Sequence, residues 1–319
     1  ATAGAQETYE NAKIAQKDLT GTARYVGMGG ALEALGADIS TMGTNPAGIG
    51  LYKHSAVNVT AGLVSQANGH DFANGNKTNA SFDQGGFVWS TRSGRKSFLN
   101  FGFNYSKSRN LDYILSASNS VHGGSISKQS YIKNMLGNVS NGGFSIGKNE
   151  QDEYIGYEDA QSTYTAPNFT QLDYLLWNTF IVDPNNQSAG YNEANRYTFD
   201  RAHTGYIGEY DFNLSGNIND RIFLGLTFGL YDVHYKGNST YIENLVDHQG
   251  ANVGTLTLND NRKITGSGID LKFGAIFRPI ETSPFRIGIY VHTPTWYDLT
   301  TKNYTTLLNG TQLGGHDQG

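Results

Sequence analysis

Residues with chemical potential are spread thinly along this chain. Its eight histidines never take the His-x-His or His-Glu-x-x-His spacing that sets two imidazoles on one metal ion. No Gly-x-Ser-x-Gly elbow presents a serine nucleophile. The run Gly27-Met28-Gly29-Gly30 lacks the spacing of a dinucleotide loop and follows no strand. Asp183-Pro184-Asn185-Asn186-Gln187 opens like a calcium loop but offers no glycine at the sixth position. Cysteine is absent, which removes disulfides and thiolate metal centres. No catalytic residue, metal ligand or cofactor is expected, and the chain is not read as an enzyme.

What remains are charged and amide side chains set singly among apolar ones. Asn104, Glu209, Asp211, Asp270, Lys272 and Arg286 all fall on the polar side of alternating stretches. Such groups line a polar interior, and a buried charge there requires a partner. Acidic pairs on such a face can mimic a catalytic dyad, but interior charges are ordinary in barrels. Lys272 or Arg286 is also placed to meet a ligand carboxylate. Arg24 and Asp38 are the charged residues of a glycine-punctuated N-terminal run and are expected to pair structurally with wall charges. That run ends in Asn45-Pro46-Ala47-Gly48, turn chemistry in its own right.

The elements that position these residues are alternating stretches. Only 16% of the chain is charged, against about 25% in an average soluble domain. Hydrophobic residues are also few, 38%, and 40 glycines and 20 tyrosines fill the difference. This composition suits a wall that is apolar outside and neutral polar inside; a secreted glycine-rich sandwich or solenoid shares it. A net charge of −5 without a basic block excludes nucleic acid as a partner. No stretch approaches the roughly 18 consecutive apolar residues of a membrane helix.

Period-two alternation predicts strands over about 55–67, 82–92, 97–109, 199–217, 222–242, 262–278 and 285–304. In the third, Leu99, Phe101, Phe103 and Tyr105 alternate with Asn100, Gly102, Asn104 and Ser106. In the fifth, Leu224, Leu226 and Phe228 oppose Gly225, Thr227 and Gly229. Connections after the second, fourth and sixth strands are short, and those after the first, third and fifth are longer. The longest, residues 110–198, is expected to be irregular, with short helices near 128–136 and 169–180. Short turns at one end and long loops at the other is the pattern of outer-membrane barrels. The expected fold is all-β: a transmembrane antiparallel β-barrel. Seven strands leave such a sheet unclosed, with backbone groups facing lipid, so residues 51–319 are expected to be the first half of a barrel in a longer chain.

The N-terminal run resembles the hatch of the FadL/TodX family of outer-membrane transporters for hydrophobic compounds. The resemblance lies in Gly21-Thr-Ala-Arg24, Gly27-Met-Gly-Gly-Ala31, Ala37-Asp-Ile-Ser40 and Asn45-Pro-Ala-Gly48, in that order. It departs at Gly36-Ala37, where a more acidic run is expected, and at Thr44, where an aromatic is common. The resemblance implies a hatch over residues 1–50 inside the lumen, with Arg24, Gly27, Gly29, Gly30, Asp38, Asn45, Pro46, Ala47 and Gly48 as its holding and gating residues. It implies a fourteen-stranded barrel, of which about seven strands lie in this chain.

The function so implied is passive uptake of small hydrophobic molecules, fatty-acid-like or aromatic, across a bacterial outer membrane. Ligand is collected by the loop at 110–198, held in a lumen lined by Asn104, Asp211, Asp270, Lys272 and Arg286, and released sideways at a kinked third strand. Gly102, Asn104 and the polar run 106–110 are the lateral-gate candidates. Expected partners are hydrophobic small molecules and outer-membrane lipid or lipopolysaccharide. The alternatives are a FadL-like barrel that docks or holds cargo for a surface secretion machine through 110–198, and a soluble β-rich binding module.

Overall fold

The computed structural model describes residues 12–72, 75–137, 143–144, 169–182 and 190–311. Its nine strands are β1 (Ala56–Ser65), β2 (Thr78–Arg92), β3 (Phe98–Asn110), β4 (Tyr113–Gly124), β5 (Glu193–Ile218), β6 (Ile222–Val246), β7 (Asn252–Phe277), β8 (Ile287–His292) and β9 (Trp296–Thr311). All join one antiparallel sheet. β3 and β4 pair end to end along β5, and β8 and β9 pair end to end along β7. The sheet therefore has seven staves, each beside its neighbour in sequence. The helices are short: α1 (Ala23–Gly27), α2 (Ile126–Leu136) and α3 (Gln171–Asn178), with 3-10 turns at Ile39–Gly43 and Pro46–Leu51. No described helix is long and apolar enough to cross a membrane.

Alternation sends successive side chains to opposite faces of the sheet. One face is bare and apolar. Val57 and Val59 are 76% and 72% exposed, Trp89 66% and Ile289 70%. Leu99, Phe101, Leu214, Leu224, Leu226 and Phe273 continue this surface across the middle staves. The other face is polar and covered: Asn100, Asn104, Asp211, Asn213, Thr227 and Lys272 are almost wholly buried. This distribution inverts that of a soluble protein, where large apolar patches are normally hidden.

The ladder between β5 and β6 runs unbroken from Ile218↔Ile222 to Arg196↔Asn244. Its turn places Asn219 and Asp220 at φ 53° and 57°, a left-handed region that Asn and Asp enter more readily than most residues. The carboxylate of Asp220 accepts from Asn217 Nδ2 (2.8 Å) and pairs with Lys53 (2.7 Å). Burial opposes its charge, but these two partners hold its carboxyl below the ordinary value.

Two expected loops are strand instead. Within 110–198, β4 occupies Tyr113–Gly124 and β5 begins at Glu193; α2 and α3 fall where helices are expected. Of that stretch, residues 138–142, 145–168 and 183–189 lie outside the described residues, as do residues 1–11 of the expected hatch and 312–319. The expected loop at 243–261 is mostly ladder, closed by a tight turn over 247–251. Its polar composition hid an inner face that is apolar where it matters. Leu245 and Leu256 are buried with Ala194 and Leu307 against Leu175, Leu176 and Trp177 of α3. A capping box between Thr170 and Asp173 starts α3. Asp173 also takes Ser130 Oγ (2.7 Å) and Lys133 of α2, tying the two helices over this end of the sheet.

Candidate functional site

Residues 17–52 lie on the covered face. Asn45 caps the second 3-10 turn: its Oδ1 accepts from Ala47 N (3.1 Å) and its Nδ2 donates to Glu33 O (2.7 Å). The Pro46 carbonyl accepts from Ser215 Oγ at 2.9 Å and Asn213 Nδ2 at 3.3 Å. This corner sits on the cross-strand pair Gly225↔Gly274. A Cβ on Gly225 would strike the Pro46 carbonyl, and one on Gly274 would strike Asn45 Oδ1. These two glycines are needed for close approach, not for backbone conformation. Asp38 caps the first turn, accepting from Ser40 N (3.0 Å) and Thr22 Oγ1 (2.7 Å). Arg24 is exposed and donates to Ala37 O (2.9 Å). Neither forms the ion pair with the sheet that the sequence suggests; both serve the N-terminal fold itself. Gly29 and Gly30, at φ 63° and 79°, end α1, and Gly27 faces open space. Gly48 packs on Thr41 and Gly36.

Beside this corner lies a buried cluster of charge. Lys272 Nζ is 2.6 Å from Glu209 Oε1, 2.6 Å from Asp211 Oδ1 and 3.3 Å from Asp270 Oδ1. Lys17 reaches Glu209 at 3.0 Å and the Tyr231 hydroxyl at 2.8 Å. That hydroxyl lies 2.8 Å from Glu209 Oε1 and 2.7 Å from Asp270 Oδ2. Asp211, Asp270 and Lys272, three of the lumen candidates, meet here. Lys272 is fully engaged by carboxylates, so it is not a free cation for ligand. Arg286 is elsewhere, donating to Leu35 O at 2.6 Å. Asn104 accepts from Gln84 Nε2 at 3.0 Å.

The third stave breaks at Leu111–Asp112, between β3 and β4. Gly205 of β5 stands opposite, at φ 135°, where a side chain would collide with the His234 carbonyl. The Asp112 carboxylate accepts from Gly205 N at 3.1 Å, and Leu111 N donates to Gly205 O at 3.0 Å. A register shift between Lys107 and Arg109 adds to the irregularity. On the other edge, β2 pairs with β3 only as far as Gln84↔Ser106. Gly102 lies in regular ladder beneath Met42. The interruption is therefore not at Gly102 or Asn104 but in and beyond the polar run 106–110.

Two things meet this free edge. The strap at residues 16–20 follows it: Asp18 N donates to Ser108 O (2.8 Å), Thr20 Oγ1 to Lys107 O (2.7 Å), and Asn110 N to Asp18 Oδ2 (2.8 Å). Arg109 pairs with Asp18. Farther along, the Gln66 side chain binds the backbone of Ile114. Behind the break, on the covered face, is a cavity of about 460 Å³, a size typical of small-molecule sites. Ile14, Leu111, Leu115, Tyr235 and Ile264 line it, with Lys13, Arg109, Arg201 and His203 among them. Burial, then the charges of Lys13 and Arg201, push the His203 imidazole down to about 4.

Of these cavity residues, sequence reasoning reaches only Arg109, within the polar run 106–110. Gly205 inside an alternating stretch and Asp112 after a polar run are the signals that mark the break. No group of His, Asp and Glu among the described residues is arranged to hold a metal ion. Comparison with family models, curated proteins and solved structures finds no match to this chain.

Proposed function

We propose that this sheet is part of an outer-membrane β-barrel closed around residues 1–50 as a hatch. The barrel passes small hydrophobic molecules from its lumen sideways through the gap in its third stave, whose unpaired edge begins beyond Ser106, at the upper margin of the apolar band, and from there into the bilayer. The membrane reading rests on the bare apolar face, spanning Ile222 to Leu230 on β6 and its ladder partners Ile218 to Tyr210 on β5. Such a length suits a barrel strand of about 9–11 residues. The resemblance of residues 21–48 to the FadL/TodX hatch points the same way.

One observation carries the transport reading: the edge left unpaired by β2 coincides with the break in the stave and with the cavity behind it. An apolar solute gains about 25 cal/mol per Å² on leaving water, so net passage from water through the cavity into lipid is downhill. Backbone groups along this edge would otherwise be left without partners where the wall is broken. The strap and Gln66 satisfy them while the gap is closed. Fixed charges beneath, with Lys272 at their centre, hold the wall in place.

The test is a reversible lock. Thr20→Cys and Ser108→Cys, joined by a short cleavable crosslinker, pin the strap to the edge. Uptake of a labelled apolar probe by cells should stop on crosslinking and return on cleavage. Uptake that ignores the lock would remove the gap from the path.

A further inference from the structure

Above the apolar band, the bare face carries a row of like charges. Lys236 of β6 stands directly opposite Lys263 of β7, and Lys263 directly opposite Lys302 of β9. All three are exposed. They share one face: β6 and β7 pair without a register shift from Ile222↔Phe277 past this row, so Lys236 and Lys263 follow Leu226 and Phe273. On β9 the inner positions are Tyr297 and Leu299, packed in the core, which leaves Lys302 outside with Trp296.

Directly opposed side chains in a sheet have Cβ atoms about 4.5–5.5 Å apart, and like charges so placed are unfavourable. Among the described residues, the adjoining rows of this face hold no acid, and Asp298 of β9 stands two rows below Lys302. The row below is His234, Thr265 and Thr300; the row above is Asn238, Asn261 and Tyr304. Asp232, farther down β6, is turned to His234 Nε2 at 2.7 Å. Among the described residues, none of the three lysines makes an ion pair. A chain of net charge −5 thus sets three cations side by side on a surface where no described residue pairs with them.

Height identifies the occupant. Lys236 lies six residues beyond Leu230, Lys263 six beyond Ile269, and Lys302 six beyond Trp296. At about 3.3 Å per residue and a tilt of about 35–45°, the row stands roughly 15 Å above the band. A phospholipid headgroup layer extends only about 5–8 Å beyond the hydrocarbon. Phosphates carried on sugars above the headgroup plane do reach the row.

We propose that Lys236, Lys263 and Lys302 form a docking site for the phosphorylated inner core of an outer-leaflet glycolipid, with the ammonium groups replacing the divalent cations that otherwise bridge its phosphates. This rests on the membrane reading above. The test compares the protein with K236Q/K263Q/K302Q and with K236R/K263R/K302R, each reconstituted in bilayers. The probes are rough-type lipopolysaccharide, the same lipid after phosphatase treatment, and phosphatidylglycerol vesicles, all with chelator present. The protein and its arginine variant should bind the phosphorylated glycolipid at least tenfold more tightly than the glutamine variant, and phosphatase should abolish the difference. Equal affinity of the protein and its glutamine variant, or equal preference for phosphatidylglycerol, would overturn the site. Failure of every variant to enter bilayers would overturn the membrane reading with it, whereas normal insertion and probe uptake with lysine-independent binding would overturn this inference alone.

Discussion

Gln66 and Ile114 are joined by two hydrogen bonds that copy a strand pair. Gln66 Nε2 donates to Ile114 O at 2.7 Å, and Ile114 N donates to Gln66 Oε1 at 2.9 Å. One side-chain amide thus replaces the neighbouring backbone that β2 withdraws above Gln84. Asp18 does the same for Asn110 N, lower on the edge. Between them the two side chains close a gap that no strand spans. Side-chain contacts of this kind open more readily than a continuous ladder, because each breaks without unzipping its neighbours.

Replacing Gln66 by Leu keeps the bulk and removes both bonds. The Ile114 amide should then exchange with solvent deuterium at least tenfold faster, while amides of the β5–β6 ladder stay unchanged. If the gap is the path, probe uptake should rise in the same variant. Unaltered exchange at Ile114 would show that Gln66 is not what holds this edge.

Lys272 is buried at zero exposure among three carboxylates. Removing one partner of such a cluster leaves uncompensated buried charge, at a cost of about 3–5 kcal/mol. Lys272→Met should therefore lower unfolding stability by about that much, read from denaturant curves in detergent. Adding Asp211→Asn should recover part of the loss, because it removes one of the stranded charges. A loss under 1 kcal/mol would mean that water or rearrangement relieves the cluster.

Much of the sheet was legible because its signal is local. Leu224, Leu226 and Phe228 against Gly225, Thr227 and Gly229 dictate both strand and face, and the structure keeps those faces. The polar partners of Lys272 were visible as inward residues, but not as one cluster, since Glu209 and Asp270 come together only through register. The break in the third stave was misplaced for a related reason. Gly102 reads as a weak point in a strand, yet it is there to admit Met42. The true weak point needs Gly205, some ninety residues away, and no local pattern links it to Asp112. β4 and the β6–β7 hairpin were lost among Asn, Ser and Gly: Val121, Leu245 and Leu256 pack against the α3 cluster, while Leu115 of β4 lines the cavity behind the gap.

A charge on the bare face should cost most within the apolar band. Leu226→Arg and Phe273→Arg place a guanidinium at mid-band on the bare face, at a cost of about 2–4 kcal/mol in a membrane barrel. Thr257→Arg lies on β7 beyond the band, half-buried, and should cost less than either. The readout is the folded fraction after assembly into lipid. Equal defects across the three variants would sink the membrane reading of this face.

His203 supplies a pH test at the cavity. It lies beyond the apolar band, half-buried, facing Tyr235 at 5.3 Å and Tyr113 at 6.0 Å between ring centres. Lys13 and Arg201 line the same cavity, and so does Asp112. Burial, then the two cations, lowers its pKa from 6.5 to about 4. Above pH 6.5 the imidazole is neutral whether the chain is folded or unfolded. As pH falls from there towards 4, the unfolded chain takes up a proton that the folded chain refuses. The stability present at neutral pH is therefore lost across that window, and the loss levels off below it. His203→Gln keeps the polarity and removes the titration. Denaturant midpoints measured at pH 7 and pH 5 should fall further for the natural protein than for the variant. Carboxylates titrate alike in both, so the difference between the two proteins isolates His203. Equal falls would show that the imidazole holds its proton in the folded cavity, with Asp112 or solvent offsetting the two cations.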